Sequence, residues 1–305
     1  MSQPILEVKD ICYSYHSPEG ETVALSHISF QMQKGEFTAI VGPSGCGKST
    51  LLSLIAGLDA PESGEVIFHH NGPCPNGQCG AKEIPDPKAL HGASSPLASF
   101  RPRIGYMLQH DHLFEWRTIY QNIILGLEIN HMLTQKKLEL AEKLLKDYGL
   151  YKFRDKKPSE LSGGMKQRAA LIRTLVMEPD ILLLDEPFSA LDYQTRLSVS
   201  ADICSIIRST GKTALLITHD LSEAISLAKR ILVLSKRPAT VKCDIPVHLT
   251  LSDASPLASR NAPEFKDYFN RLWKEISDET ISEETISEET IPKEEKRQPE
   301  QTGTV

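Results

Sequence analysis

Nine residues, Gly42, Pro43, Ser44, Gly45, Cys46, Gly47, Lys48, Ser49 and Thr50, restrict this chain more than any other stretch. They read G-x-x-x-x-G-K-[ST] and lie between an apolar run at 37–41 and an apolar helix start at 51–55. In a strand–loop–helix setting that pattern has a mechanism. Glycines at 42, 45 and 47 let the backbone turn tightly and bring its N–H groups close to an anion. The helix that follows adds its positive N-terminal end. Lys48 can then reach the β- and γ-phosphates of a nucleoside triphosphate, and the Ser49 hydroxyl can hold Mg²⁺.

Composition sets the outer limits. A chain of 305 residues, 40% hydrophobic and 24% charged, can bury one large core or two modest ones. No stretch approaches the roughly 18 consecutive apolar residues of a membrane span. Residues 1–10 lack the basic start and apolar core of a signal peptide, so a cytosolic chain is expected. The nine acidic and three basic side chains of residues 277–305 account for the whole net charge of −6. The rest is about neutral, without the broad basic face of a nucleic-acid binder. The six cysteines are not expected to pair in the cytosol. Cys74 and Cys79 have no second pair at metal-ligand spacing, and the expectation there is an exposed loop rather than a zinc site.

Along the chain, residues 6–11 and 23–32 read as strands separated by a turn at 17–20, and residues 65–68 and 103–108 as further short strands. Residues 69–100 are rich in Gly, Pro, Ser, Asn and Ala without period, and read as an irregular insertion. Helices are predicted over 135–148, with Gly149 placed to end it, and over 164–177, stopping before Pro179. The continuous apolar runs 181–184 and 214–217 suit central parallel strands covered on both faces. Strand and helix alternating around a phosphate loop predict an α/β fold with a mostly parallel sheet. Phe265, Tyr268, Phe269, Leu272, Trp273 and Ile276 share one face of an amphipathic C-terminal helix, expected to dock on its own domain. The Glu-rich five-residue repeat beyond it reads as a disordered tail over 277–305.

Four more motifs follow in a set order. Residues 181–187 form an apolar run ending in Asp185 and Glu186; Ser162, Gly163 and Gly164 open a helix; residues 189–192 end in Asp192; and Thr218-His219-Asp220 follows the second apolar run. With Gln109 after the strand 103–108, these resemble the motifs of ABC-type ATPases over roughly residues 4–245. The resemblance implies a P-loop ATPase core with an antiparallel β subdomain and a helical subdomain at about 110–178, leaving 246–276 as a C-terminal extension. It implies Mg²⁺ held by Ser49, Asp185 and Gln109, and Glu186 as the carboxylate that polarises the attacking water. His219 would contact the γ-phosphate. Ser162, Gly163 and Gly164 would close on the ATP of an opposite subunit, with Asp192 reaching across the dimer. Tyr15, or in competition Tyr13, would stack on adenine. The implied unit is a dimer, expected to be a homodimer, with two ATP molecules between its subunits.

Residues 110–118 resemble the segment with which importer ATPases receive a permease helix, and Phe114 and Trp116 are the exposed-aromatic candidates; the alternative is core packing. With residues 187–196 and 234–238, this is similar to the nitrate/sulfonate/taurine-type importer ATPases. Ala239 in place of a frequent Gly and the long insertion depart from that pattern. The resemblance implies permease subunits, indirectly an extracytoplasmic solute-binding protein, no nucleic-acid partner, and a peripheral place on the cytoplasmic side of the cell membrane. The alternatives are an exporter ATPase or a soluble ABC ATPase acting on a macromolecule.

Overall fold

The computed structural model describes residues 3–18, 20–69, 82–83, 102–189, 191–250 and 256–288. Two sheets form. The first is antiparallel and pairs β1 (Leu6–Ser17) with β2 (Gly20–Met32) and with β4 (Ser63–Phe68), whose other edge takes the two-residue β5 (Lys82–Glu83). β5 lies inside the segment expected to be irregular; the rest of that insertion from residue 70, with Cys74 and Cys79, lies outside the described residues.

The second sheet has six strands in the order β10 (Val241–Pro246), β9 (Arg230–Leu234), β3 (Phe37–Val41), β8 (Thr213–Ile217), β7 (Ile181–Asp185) and β6 (Ile104–Met107). All its pairings are parallel except that of β10 with β9. Every residue of β3, β7 and β8 is buried. Their side chains alternate between two cores, which is why the runs are continuously apolar. Ile181, Leu183, Leu215 and Ile217 pack with Leu6 and Ile28 of the antiparallel sheet and with Leu52 of α1 (Lys48–Ala56). Leu182, Leu184, Ala214 and Leu216 face α5 (Tyr193–Thr210) and α6 (Leu221–Leu227) through Ile203 and Ala224. Each such Leu or Ile, fully buried, contributes about 1.5–3 kcal/mol.

A third core joins α2 (Ile119–Ile129), α3 (Gln135–Asp147) and α4 (Gly163–Leu175) through Ile123, Leu127, Ala141, Leu145 and Ile172. Gly149, at φ 69°, takes the left-handed conformation just past α3 that a side chain would resist. The short α7 (Pro256–Arg260) and then α8 (Phe265–Glu288) return to the body of the protein. Leu272 is fully buried in the core around α5 and α6, and Phe265, Tyr268, Phe269 and Ile276 pack against it, while Trp273 stays exposed. α8 also corrects an expectation. It runs on to Glu288, into the segment read as a disordered tail, because the Glu-rich repeat holds no Gly or Pro before Pro292 to stop a helix already nucleated on the core.

Register positions the site. Ile40 opposes Ile217, and Ile217 opposes Asp185. The phosphate loop after β3, Thr218 and His219 after β8, Glu186 after β7 and Gln109 after β6 therefore all leave the carboxyl edge of one parallel sheet, where α/β folds gather ligands.

Candidate nucleotide site

The loop between β3 and α1 is closed on itself. Lys48 is buried, and its ammonium donates to the carbonyls of Gly42 at 2.9 Å and Pro43 at 2.8 Å. Gly47 sits at φ 117°, and a Cβ there would come within 2.9 Å of Leu25 Cδ2, so the position admits only glycine. A Cβ on Gly42 would come as close to the carbonyl of Leu234. Arg237 Nε donates to the Gly45 carbonyl at 3.0 Å, bracing the loop from the turn after β9. Cys46 is buried beside Lys48, and that burial pushes its thiol pKa up. Side chains cap α2, α3, α4, α5 and α6, but α1 begins at Gly47 with no side-chain cap. Its first N–H groups are thus left for an anion.

Hard oxygen donors meet beside the loop. Ser49 Oγ donates to Asp185 Oδ1 at 3.1 Å, and Tyr106 donates from its hydroxyl to Asp185 Oδ2 at 3.4 Å. Burial raises the Asp185 pKa, against the lowering effect of the Ser49 hydrogen bond. Burial and the Asp185 charge push Tyr106 up to about 12, so it stays a hydrogen-bond donor. Ser49 and Asp185 supply the oxygen ligands that suit Mg²⁺ rather than a softer metal.

One residue on, Glu186 collects the remaining expected groups. Gln109 Nε2 donates to Glu186 Oε2 at 3.3 Å, and His219 Nδ1 lies 3.1 Å from the same oxygen. Glu186 has φ 43°, an uncommon conformation for a residue with a side chain, and functional residues are often held this way. Three hydrogen bonds hold it there: its N–H to the Ile217 carbonyl, and its own carbonyl to the N–H and hydroxyl of Ser189.

Tyr15 is half-exposed, and its hydroxyl lies 2.7 Å from Thr50 Oγ1 at the end of the phosphate loop. Tyr13 instead packs against the core between the sheets and meets Tyr15 edge-on. Ser162, Gly163, Gly164 and Asp192 form a second group at two helix starts. Ser162 caps α4 and Asp192 caps α5. A Cβ on Gly164 would come within 2.4 Å of Thr195 Cγ2, and one on Gly163 within 3.4 Å of Leu191 Cδ2, so the two helix starts touch. Hydrogen bonding from the Thr195 side chain, and then from its N–H, holds the Asp192 carboxyl below its usual range.

The segment 114–118 does not pack inward. Trp116 is 73% exposed and Phe114 half-exposed, with their rings 4.7 Å apart. Around them the backbone is tied down: fully buried Asn122 pairs with both the N–H and the carbonyl of Phe114, Arg117 reaches Glu128, and Thr118 caps α2. Sequence reasoning missed Tyr106, Asn122, Arg196 and Arg237. Only Arg196 and Arg237 carried a signal, through their places in the segments 187–196 and 234–238.

A phosphate loop with an uncapped helix, a serine–aspartate pair beside it and a carboxylate–glutamine–histidine cluster at the same sheet edge define a P-loop ATPase. The ABC transporter family model matches residues 25–189. The chain is 40% identical over 272 residues to an uncharacterized ABC transporter ATP-binding protein of Bacillus subtilis (strain 168), covering 89% of this chain and 95% of that one. It is 36% identical to the nitrate import ATP-binding protein NrtD of Synechocystis sp., covering 88% and 93%. It is 34% identical to the taurine import ATP-binding protein TauB of Roseobacter denitrificans, covering 88% and 94%. Among solved structures it resembles a dimeric ATP-binding cassette in a post-hydrolysis state bound to ADP and Pi, with TM-score 0.62 and 30% identity over 80% of this chain and 99% of that one. The chain belongs to the ABC transporter family as an ATP-binding, ATP-hydrolysing subunit.

Proposed function

We propose that this chain energises an importer for a small anion or related solute of the nitrate, sulfonate or taurine type. It works as a homodimer on the cytoplasmic side of the membrane, against permease subunits fed by an extracytoplasmic binding protein. The observation that carries the importer reading is Trp116. Arg117 and Thr118 are engaged in holding the turn on α2, and Asn122 clamps Phe114, yet the largest ring of the segment is left outside. A rigid, solvent-facing aromatic pair is an anchor for a partner helix, since such rings bury much area at little cost in ordering. Likeness to nitrate and taurine import subunits over most of both chains supports the solute class. Among the described residues no helix is long and apolar enough to cross a membrane, so the path for solute would come from other chains.

The chemistry follows from the site. The N–H groups of Gly45 to Thr50 cradle the phosphates, and Lys48 turns its donors from the carbonyls of Gly42 and Pro43 to the β- and γ-phosphates. Tyr15, beside Thr50, offers its face to adenine. Ser49, Asp185 and Gln109 are the groups to hold Mg²⁺, which when bound neutralises charge developing on the phosphates. Glu186 orients and polarises the attacking water, and Gln109 and His219 fix the position of its carboxylate. Ser162, Gly163, Gly164 and Asp192 complete the site of the opposite subunit.

Uptake tests the proposal. Cells lacking the chain should lose accumulation of labelled nitrate, taurine or an alkanesulfonate, regained with the intact chain but not with Lys48→Ala. Unchanged uptake of all three, or loss of an efflux activity instead, would contradict the importer reading.

A further inference from the structure

Arg196, in the first turn of α5, joins three groups from two separate segments, the turn before α5 and the start of α6. Its Nη2 donates to the Leu191 carbonyl at 3.0 Å, its Nη1 lies 3.6 Å from Asp220 Oδ2, and its Nε lies 3.8 Å from Glu223 Oε1. Leu191 precedes Asp192, while Asp220 follows His219. The far side of the clamp is itself tied to the turn after β8. Glu223 is almost fully buried and accepts from Thr218 Oγ1 at 2.7 Å; Thr218 Oγ1 in turn accepts from the Asp220 N–H at 3.0 Å, and Asp220 Oδ1 takes the N–H groups of Ser222 and Glu223. His219 is therefore fixed between two residues that share this network. Arg196 Nε is buried and has no hydrogen-bond partner, so a small approach of the two turns would convert its contact with Glu223 into a bond. A planar guanidinium can serve several acceptors at once, as a point charge cannot.

We propose that Arg196 is a positioning residue that couples the turn bearing Asp192 to the turn bearing His219, so that seating of the opposite subunit on Asp192 sets the His219 ring against Glu186. The proposal rests on the roles given above to Asp192, Glu186 and His219. Arg196 touches no reacting atom. Its effect is on turnover once two subunits have met, and the first binding of ATP is left alone.

The test uses the purified full chain with Arg196→Ala, Arg196→Lys, His219→Ala and the double variant Arg196→Ala/His219→Ala. ATP affinity is read with a fluorescent analogue, and turnover is measured against ATP concentration. Arg196→Ala should lower kcat roughly tenfold to a hundredfold, the scale of misplacing a catalytic group by about an ångström. KM should stay within about twofold, because uniform binding is untouched. Cooperativity in ATP should weaken, and Arg196→Lys should recover part of kcat through Asp220 and Glu223. Adding Arg196→Ala to His219→Ala should cost little more, since residues acting as a unit are not additive. A merely structural brace would instead multiply its loss with that of His219→Ala, and that result overturns the proposal, as does a kcat for Arg196→Ala within about twofold of the parent. If Arg196→Ala does not fold, Arg196→Lys carries the same test through its own double variant. Near-parental turnover of His219→Ala alone would bring down the reading of the site itself, and the coupling with it.

Discussion

Glu186 Oε2 and His219 Nδ1 stand 3.1 Å apart, joining the ends of two neighbouring strands at a residue whose backbone is in the left-handed region. That contact needs the carboxylate to be where the fold holds it and nowhere else. Glu186→Gln keeps the size and the local hydrogen-bonding capacity but removes the charge that polarises water. It should bind ATP with parental affinity, lose turnover by roughly 10²–10⁴-fold, and accumulate as an ATP-bound dimer. Single-turnover hydrolysis and light scattering read both effects, and near-parental turnover would remove Glu186 from its role.

Lys48→Ala acts earlier. The ammonium is buried against two loop carbonyls. Loss of a charged hydrogen bond to phosphate, worth about 1.5–3 kcal/mol, should weaken ATP binding roughly tenfold to a hundredfold. Equilibrium titration with a fluorescent nucleotide checks this.

Two adjacent glycines should separate cleanly. A methyl on Gly164 meets Thr195 Cγ2 at 2.4 Å, so the Thr195 side chain or the helix that carries it must shift, costing about 1–3 kcal/mol. A methyl on Gly163 meets Leu191 at an ordinary contact distance of 3.4 Å. Gly164→Ala should thus lower Tm by several degrees while Gly163→Ala barely moves it, as thermal unfolding would show.

Alkaline stability has a defined window. Burial and the nearby carboxylates of Asp147 and Asp202 raise Tyr148 from 10.0 to about 12. Its phenol stays protonated in the folded chain where the unfolded chain has already lost the proton. The stabilisation is therefore full below pH 10.0 and falls as pH rises toward about 12, by at most about 1.4 kcal/mol per pH unit. Tyr148→Phe should flatten that fall in denaturant melts repeated across the window.

Much of this architecture was legible in the chain because it depends on local patterns. The runs 181–184 and 214–217 are apolar on every residue since β7 and β8 are covered on both faces, and the loop 42–50 needs its glycines at fixed spacings. Residues that work through distant partners left no such trace. Asn122 reads as one polar residue in an apolar helix until its side chain is seen closing the Phe114 turn. Arg196 stands in the sequence only as the end of the segment 187–196, and its partners show once Asp220 and Glu223 are brought to it at the start of the next helix. Tyr13 and Tyr15 could not be ranked by spacing, because the register shifts in β1 beside them decide which ring turns toward Thr50. The tail misled for the opposite reason. Its Glu-rich composition suits a solvated chain, but the same residues extend a helix once Leu272 is anchored.

Gentle detergent purification of the tagged chain from its native membranes tests whether the proposed importer subunit meets a permease through its Trp116 face. A multispanning permease should copurify with the parent chain and be lost with Trp116→Ala, whose Tm should match the parent because the ring lies outside the core. Recovery of the parent with ribosomes, with nucleic acid or with no membrane protein would contradict the importer reading.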